Sequence, residues 1–286
     1  MVLAKVDSEL FEYFDFGRYI SPIGIARARG ANNDKDVTIE IKAKWQNGKL
    51  ANIEELLSYL YERPELTRGE GDLYASITQN INYQRVKDYV DFIQEHGMMP
   101  YGPFIENGTN CSRFVTDAVV NGTLDKEVAE RMDKIYRITP AVLNGVDAAN
   151  TSDHYYVASA DGVRKESENL HDIQYAFLHD KGLRYENLID TQKGKLEKPD
   201  TPAPVDGLKW LGGVGYGVWF GIKPTEQNDI FSVEQYSAEG KLIFKAPFKT
   251  NEKIDLDKDF SYGYPSHYGQ VVLNFGAKSV KLTRLQ

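Results

Sequence analysis

Cys111 is the only cysteine in 286 residues, and it stands in Gly108-Thr109-Asn110-Cys111-Ser112-Arg113-Phe114-Val115. Phe114, Val115, Ala118 and Val119 follow it at three, four, seven and eight residues, one apolar stripe at the helical period. The thiol therefore falls in the first turn of an amphipathic helix. A Gly-Thr-Asn turn delivers it, and Thr109 or Asn110 can cap the free backbone N–H groups. The positive end of the helix dipole favours thiolate there, the form that attacks carbonyl carbon. A free cysteine also commonly fills a core as a small apolar side chain, so its partners decide between the two readings.

A thiol nucleophile needs a base within hydrogen-bond reach, itself oriented by a third polar group. The histidines are His96, His154, His171, His179 and His267. His154, in Ser152-Asp153-His154-Tyr155-Tyr156-Val157, opens an expected strand 43 residues after Cys111 and is the candidate base. His96 ends an expected helix, where the dipole favours a cation, so capping explains it better. His171 and His179 fall on a charged helix face, and His267 belongs to a strand-rich tail. Tyr101 is the candidate oxyanion donor, with loop packing between Pro100 and Pro103 as the competing account. Glu70, between Gly69 and Gly71, can orient a base or bind substrate, or serve as a turn residue. Asn110, Ser112 and Arg113 flank the thiol and are the substrate-binding candidates; Arg113 would also favour thiolate.

These residues must be positioned by a mixed set of elements. Residues 1–45 read as strands, with Val37 to Ala43 alternating cleanly. Ile53 to Tyr61 reads as a helix stopped by Pro64, Tyr83 to His96 as a helix ended by Gly97, and Asp125 to Tyr136 as a further helix. Tyr155 to Val157 reads as a strand, and Ser167 to Leu178 as a helix. Residues 193–204 hold three prolines and many charges and read as an extended linker. Beyond it, short strands are expected at 215–222, 230–236, 242–248, 261–264, 271–275 and 280–285, with a hairpin turn at Ala238-Glu239-Gly240-Lys241. The expected organisation is α+β: a first domain over 1–195, a linker over 196–206 and a small all-β domain over 207–286.

Composition narrows the function classes. A net charge of −8 argues against a nucleic-acid polyanion as partner, and Arg27 with Arg29 makes only a two-residue basic spot. No apolar run reaches transmembrane length. The first residues do not form a signal peptide, so the compartment expected for the chain as given is the cytoplasm. A lone cysteine with scattered histidines does not build a zinc site. Gly212-Gly213-Val214-Gly215-Tyr216-Gly217 lacks a phosphate-loop lysine, and Asp255-Leu256-Asp257-Lys258-Asp259 lacks the glycine and glutamate of a calcium loop. No metal or cofactor is therefore expected.

The hexapeptide Asn110-Cys111-Ser112-Arg113-Phe114-Val115 resembles the nucleophile motif of papain-like NlpC/P60 enzymes, closest to their circularly permuted branch of YiiX-like and lecithin–retinol-acyltransferase-like proteins. Tyr13 to Tyr19, Gly69 to Ser76, Pro100 to Phe104, Trp210 to Gly213 and Trp219-Phe220 resemble the bacterial family DUF6695, mostly from Bacteroidetes. The first resemblance implies a papain-like fold and a cysteine hydrolase or acyltransferase. Such an enzyme would act on an amide or ester of a peptide, cell-wall or lipid substrate through an acyl-enzyme. It also implies a histidine on a strand ahead of the cysteine, and no histidine here precedes His96. Two expectations follow: a segment upstream of Met1 supplies the base, or the chain is a non-catalytic binding or scaffold form of the fold.

Overall fold

A computed structural model describes residues 1–67, 71–102, 105–138, 142–170, 172–173 and 196–285. The chain divides into two compact units. The first comprises Met1–Phe16, Val37–His96 and Gly102–Leu188, and the second Gly17–Asp36, Gly97–Tyr101 and Ile189–Gln286.

The first unit carries the six α-helices found among the described residues: α1 (Ile53–Tyr61), α2 (Pro64–Thr67), α3 (Tyr83–His96), α4 (Cys111–Gly122), α5 (Lys126–Ile138) and α6 (Val142–Ala149). Periodicity and punctuation account for α1 and α3, whose ends coincide with the expected ones; Gly97, at φ 81°, takes the left-handed turn that ends α3. Pro64 ends α1 only indirectly. It opens the short helix α2, where its missing N–H costs nothing. Asp125 caps α5 by accepting from the Glu127 N–H at 2.9 Å.

The strands of this unit are short. Val2–Ala4 pairs antiparallel with Phe11–Tyr13, and Tyr155–Ser159 lies between Gly162–Glu166 and Leu73–Ala75, antiparallel to both. The expected strand at Val37–Ala43 is absent. Lys35–Val37 is a 3₁₀ turn and the rest joins no ladder, although Ile39 and Ala43 are buried and Glu40 and Lys42 exposed. Alternation there serves burial alone, with the Glu40 N–H donating to the Tyr59 hydroxyl at 3.1 Å. One core joins Phe11, Tyr13, Val37 and Ile39 to Leu56, Tyr59, Leu60 and Leu66; a second joins Val119 of α4 to Val128, Met132, Ala148 and Ala149.

In the second unit, seven antiparallel strands form one sheet in the order Lys209–Leu211, Val218–Pro224, Ile230–Tyr236, Leu242–Lys249, Lys278–Arg284, Gln270–Phe275, Ser261–His267. The two outer strands meet, so the sheet is nearly a barrel: the Tyr264 hydroxyl donates to the Gly212 carbonyl at 2.6 Å, and Lys209 lies 3.9 Å from the Phe260 ring centre. Val218, Phe220, Val233, Phe248, Val271, Leu273 and Leu282 fill its interior. The 238–241 turn closes as expected, with the Ser237 N–H donating to the Lys241 carbonyl at 2.8 Å. Of the expected linker, Lys198 lies 5.5 Å from the Trp219 ring centre. The expected helix at 167–178 falls largely outside the described residues.

Arg27 and Arg29 correct the sequence reading of a basic surface spot. They lie on strand Ile25–Arg29, 3% and 0% exposed. Arg27 grips both carboxylate oxygens of Asp34, and Arg29 stacks 3.7 Å from the Tyr19 ring centre with Asp36 as its ion-pair partner. These charges are core structure, and removing one partner of such a buried pair costs about 3–5 kcal/mol.

Candidate active site

Asn110 is the N-cap of α4: its backbone is extended and its side-chain oxygen accepts the Arg113 N–H at 2.9 Å. That places Cys111 at the first helical position, half-buried, as the stripe of apolar residues requires. Phe114 fixes the helix. It is fully buried, stacked on Phe16 with ring centres 6.0 Å apart and tilted against Tyr89 at 5.9 Å. Gly122 lets α3 cross the far end of α4; a Cβ there would lie 2.3 Å from Val86 Cγ2. The turn before the cysteine is held by the Gly102 N–H donating to the Thr109 carbonyl at 2.9 Å. Thr109 is 8% exposed, and its hydroxyl has no hydrogen-bond partner among the described residues. An unsatisfied buried hydroxyl of this kind costs about 1–3 kcal/mol.

Asp15 lies on the short strand Asp15–Gly17, whose Phe16 makes the contact with α4 that sequence reasoning missed. The Tyr13 hydroxyl donates to its Oδ2 at 3.0 Å, and Phe16, the next residue, is the one stacked on Phe114. The buried Met1 amino group donates to the Phe14 carbonyl at 2.8 Å. Burial pushes its pKa down, while Asp15 and Cys111 both push it up. Further along α4, burial raises the Asp117 carboxyl above its ordinary range, against the Tyr89 hydroxyl at 3.3 Å and the Arg113 charge.

The other candidates are placed as follows. Neither ring nitrogen of His154 meets the thiol: Nδ1 lies 2.6 Å from Asp153 Oδ1 and Nε2 3.3 Å from the Tyr156 hydroxyl. The helices explain why. Ser112 lies against Gly145 of α6, whereas Ala148 and Ala149 pack with Val119. Val119 is about 12 Å along α4 from Cys111 at 1.5 Å per residue. His154 follows the latter end of α6, where its carbonyl accepts from Asn150 at 3.1 Å. Tyr101 belongs to the second unit; its N–H donates to the Gly24 carbonyl at 2.8 Å and Arg18 lies 4.9 Å from its ring centre. Glu70, His171 and His179 lie outside the described residues. The Asn110 oxygen serves the cap, Ser112 is buried, and Arg113 acts on Asp117. His96 is exposed beside Phe92. Burial first, then Arg27 and Lys281, hold His267 down at about 3.

Among the described residues no group of three or more His, Cys, Asp or Glu side chains could hold a metal ion, and no helix is long and apolar enough to cross a membrane.

The segment that carries this geometry is also the one that matches a known family. The family model described as Type VI secretion system effector TseH-like matches residues 1–128, which contain Asp15 and Cys111 but not His154. The model of the DUF6695 C-terminal domain matches residues 208–285, the span of the seven-stranded sheet. The DUF6695 resemblance read along the whole sequence is thus matched over the tail, with a different family model over the front. No curated protein and no solved structure matches the chain.

Proposed function

We propose that the first unit is a papain-like, permuted NlpC/P60-type cysteine hydrolase or acyltransferase, and that the protein acts as an effector. The observation that carries the reading is the half-buried thiol at the first position of a capped helix, within the TseH-like segment. The Cys111 thiolate attacks an amide or ester carbonyl, the amine or alcohol leaves, and water or another acceptor resolves the thioester. The substrate is a peptide, a cell-wall amide or a lipid ester. The all-β domain expected over 207–286 is the accessory domain that binds substrate or partner.

A second reading is a binding or scaffold form of the same fold. It is favoured by one fact: none of the described histidines hydrogen-bonds Cys111. The deciding experiment offers the protein a cell-wall peptide, a simple peptide amide and a lipid ester, with Cys111→Ala as control. Turnover lost in the variant supports the enzyme. Absence of turnover, with iodoacetamide modifying Cys111 no faster than free cysteine, leaves the binding form.

A further inference from the structure

The turn that carries His154 builds a second cluster of its own. Residues 154 and 156 share a face of the extended chain. His154 Nδ1 is 2.6 Å from Asp153 Oδ1, and Nε2 is 3.3 Å from the Tyr156 hydroxyl. A carboxylate only accepts, so in the neutral ring the proton sits on Nδ1 and Nε2 is left as the acceptor for the phenol. The hydrogen bond from His154 holds the Asp153 carboxyl below its ordinary range. Hydrogen bonds therefore run in one direction, from Tyr156 through His154 to a fixed negative charge.

Packing keeps the phenol in place. Tyr156 belongs to a buried cluster with Leu57 and Ala158, against which Ile53, Tyr61 and Leu73 pack. Its cross-strand neighbours are Ala75 on one side and Lys165 on the other, the Lys165 ammonium 5.7 Å from the ring centre. Tyr156 is 6% exposed, and the His154 side chain 26%.

We propose that Asp153, His154 and Tyr156 form a reactive centre separate from Cys111, in which the Tyr156 hydroxyl accepts an acyl group from an activated ester. The phenol oxygen bonds the acyl carbon as the ester C–O bond breaks. The phenol proton passes to His154 Nε2 and then to the departing oxygen, while Asp153 stabilises the transient imidazolium. The product is an O-acyl tyrosine and a free alcohol or phenol.

The test uses the full chain carrying Cys111→Ala, so that no thiol competes, with p-nitrophenyl acetate as the probe. Release of p-nitrophenolate is followed, and the acetyl group is located by peptide mapping. Tyr156 becomes acetylated faster than the other tyrosines. Tyr156→Phe removes the reaction while keeping the ring and the melting temperature. His154→Ala slows it about 10²-fold, the usual worth of a positioned general base, and Asp153→Asn slows it less. Acetylation of Tyr156 no faster than of the other tyrosines, or unchanged by His154→Ala, overturns the proposal. Neither result bears on Cys111, which is absent from the protein tested.

Discussion

The Cys111 end of α4 and the His154 turn are built in opposite ways. His154 takes its side-chain partners from residues one and two positions away, Asp153 and Tyr156, and both ring nitrogens are engaged. Among the described residues the Cys111 thiol makes no hydrogen bond. Its position is fixed by a local cap, Asn110, and by distant aromatic rings, Phe16 and Tyr89, acting through Phe114. A side chain tied down by its neighbours is already committed to them. A thiol held only through its helix stays free to react, and its chemistry depends on whether the helix end is kept in place.

The largest effect expected from that contrast is on turnover. Cys111→Ala should abolish hydrolysis of whichever ester or amide proves to be a substrate, by about 10³-fold or more, with little change in melting temperature. A variant that retains activity breaks the contrast at its root. Phe114→Ala comes next, because it removes the ring that anchors α4. A loss of about 3–5 kcal/mol is expected from emptying such a buried site, read from denaturant unfolding. A loss under about 1 kcal/mol would mean that α4 is held elsewhere. Asn110→Ala removes the cap and should cost about 1 kcal/mol. Since the cap also sets the first turn, iodoacetamide should modify Cys111 more slowly in that variant than in the parent.

Much of this arrangement could be read in advance, and the exceptions share a cause. The α1 and α3 boundaries, the capped helix at Cys111 and most strands of the second unit follow from period and punctuation, which act within a few residues. The interior of Ile25–Arg29 could not be read that way. Arg27 and Arg29 look like surface charge until a turn brings Asp34 and Asp36 back to them. Val37–Ala43 has a strand's alternation but no neighbouring strand to pair with. The stacking of Phe16 on Phe114, which anchors the Cys111 helix, was invisible because it exists only after folding. Each exception depends on contacts between segments, and no local pattern encodes them.

Asp117 tests the middle of the same helix with a smaller effect. Burial raises its carboxyl in the folded chain, so folding favours the protonated form. The stability it contributes is present below the unfolded carboxylate range and is lost as pH rises through the raised value. Asp117→Asn keeps a partner for the Tyr89 hydroxyl and removes that loss. The variant should melt higher than the parent at neutral pH, with the difference shrinking in acid. An equal difference at both would show that charge is not the cause.

The smallest expected effect is the sharpest test of the contrast itself. His154→Ala deletes the candidate base read from the sequence, yet its ring is bound to Asp153 and Tyr156 and its turn follows the end of α6 that packs with Val119. Alkylation of Cys111 should therefore proceed at the parent rate, and turnover at the thiol should change by less than about twofold, within the ±0.5 kcal/mol of an uninvolved surface substitution. Tyr156 alone should lose reactivity. If Cys111 slows instead, the turn and the helix end act together in solution, and the two regions are halves of one site.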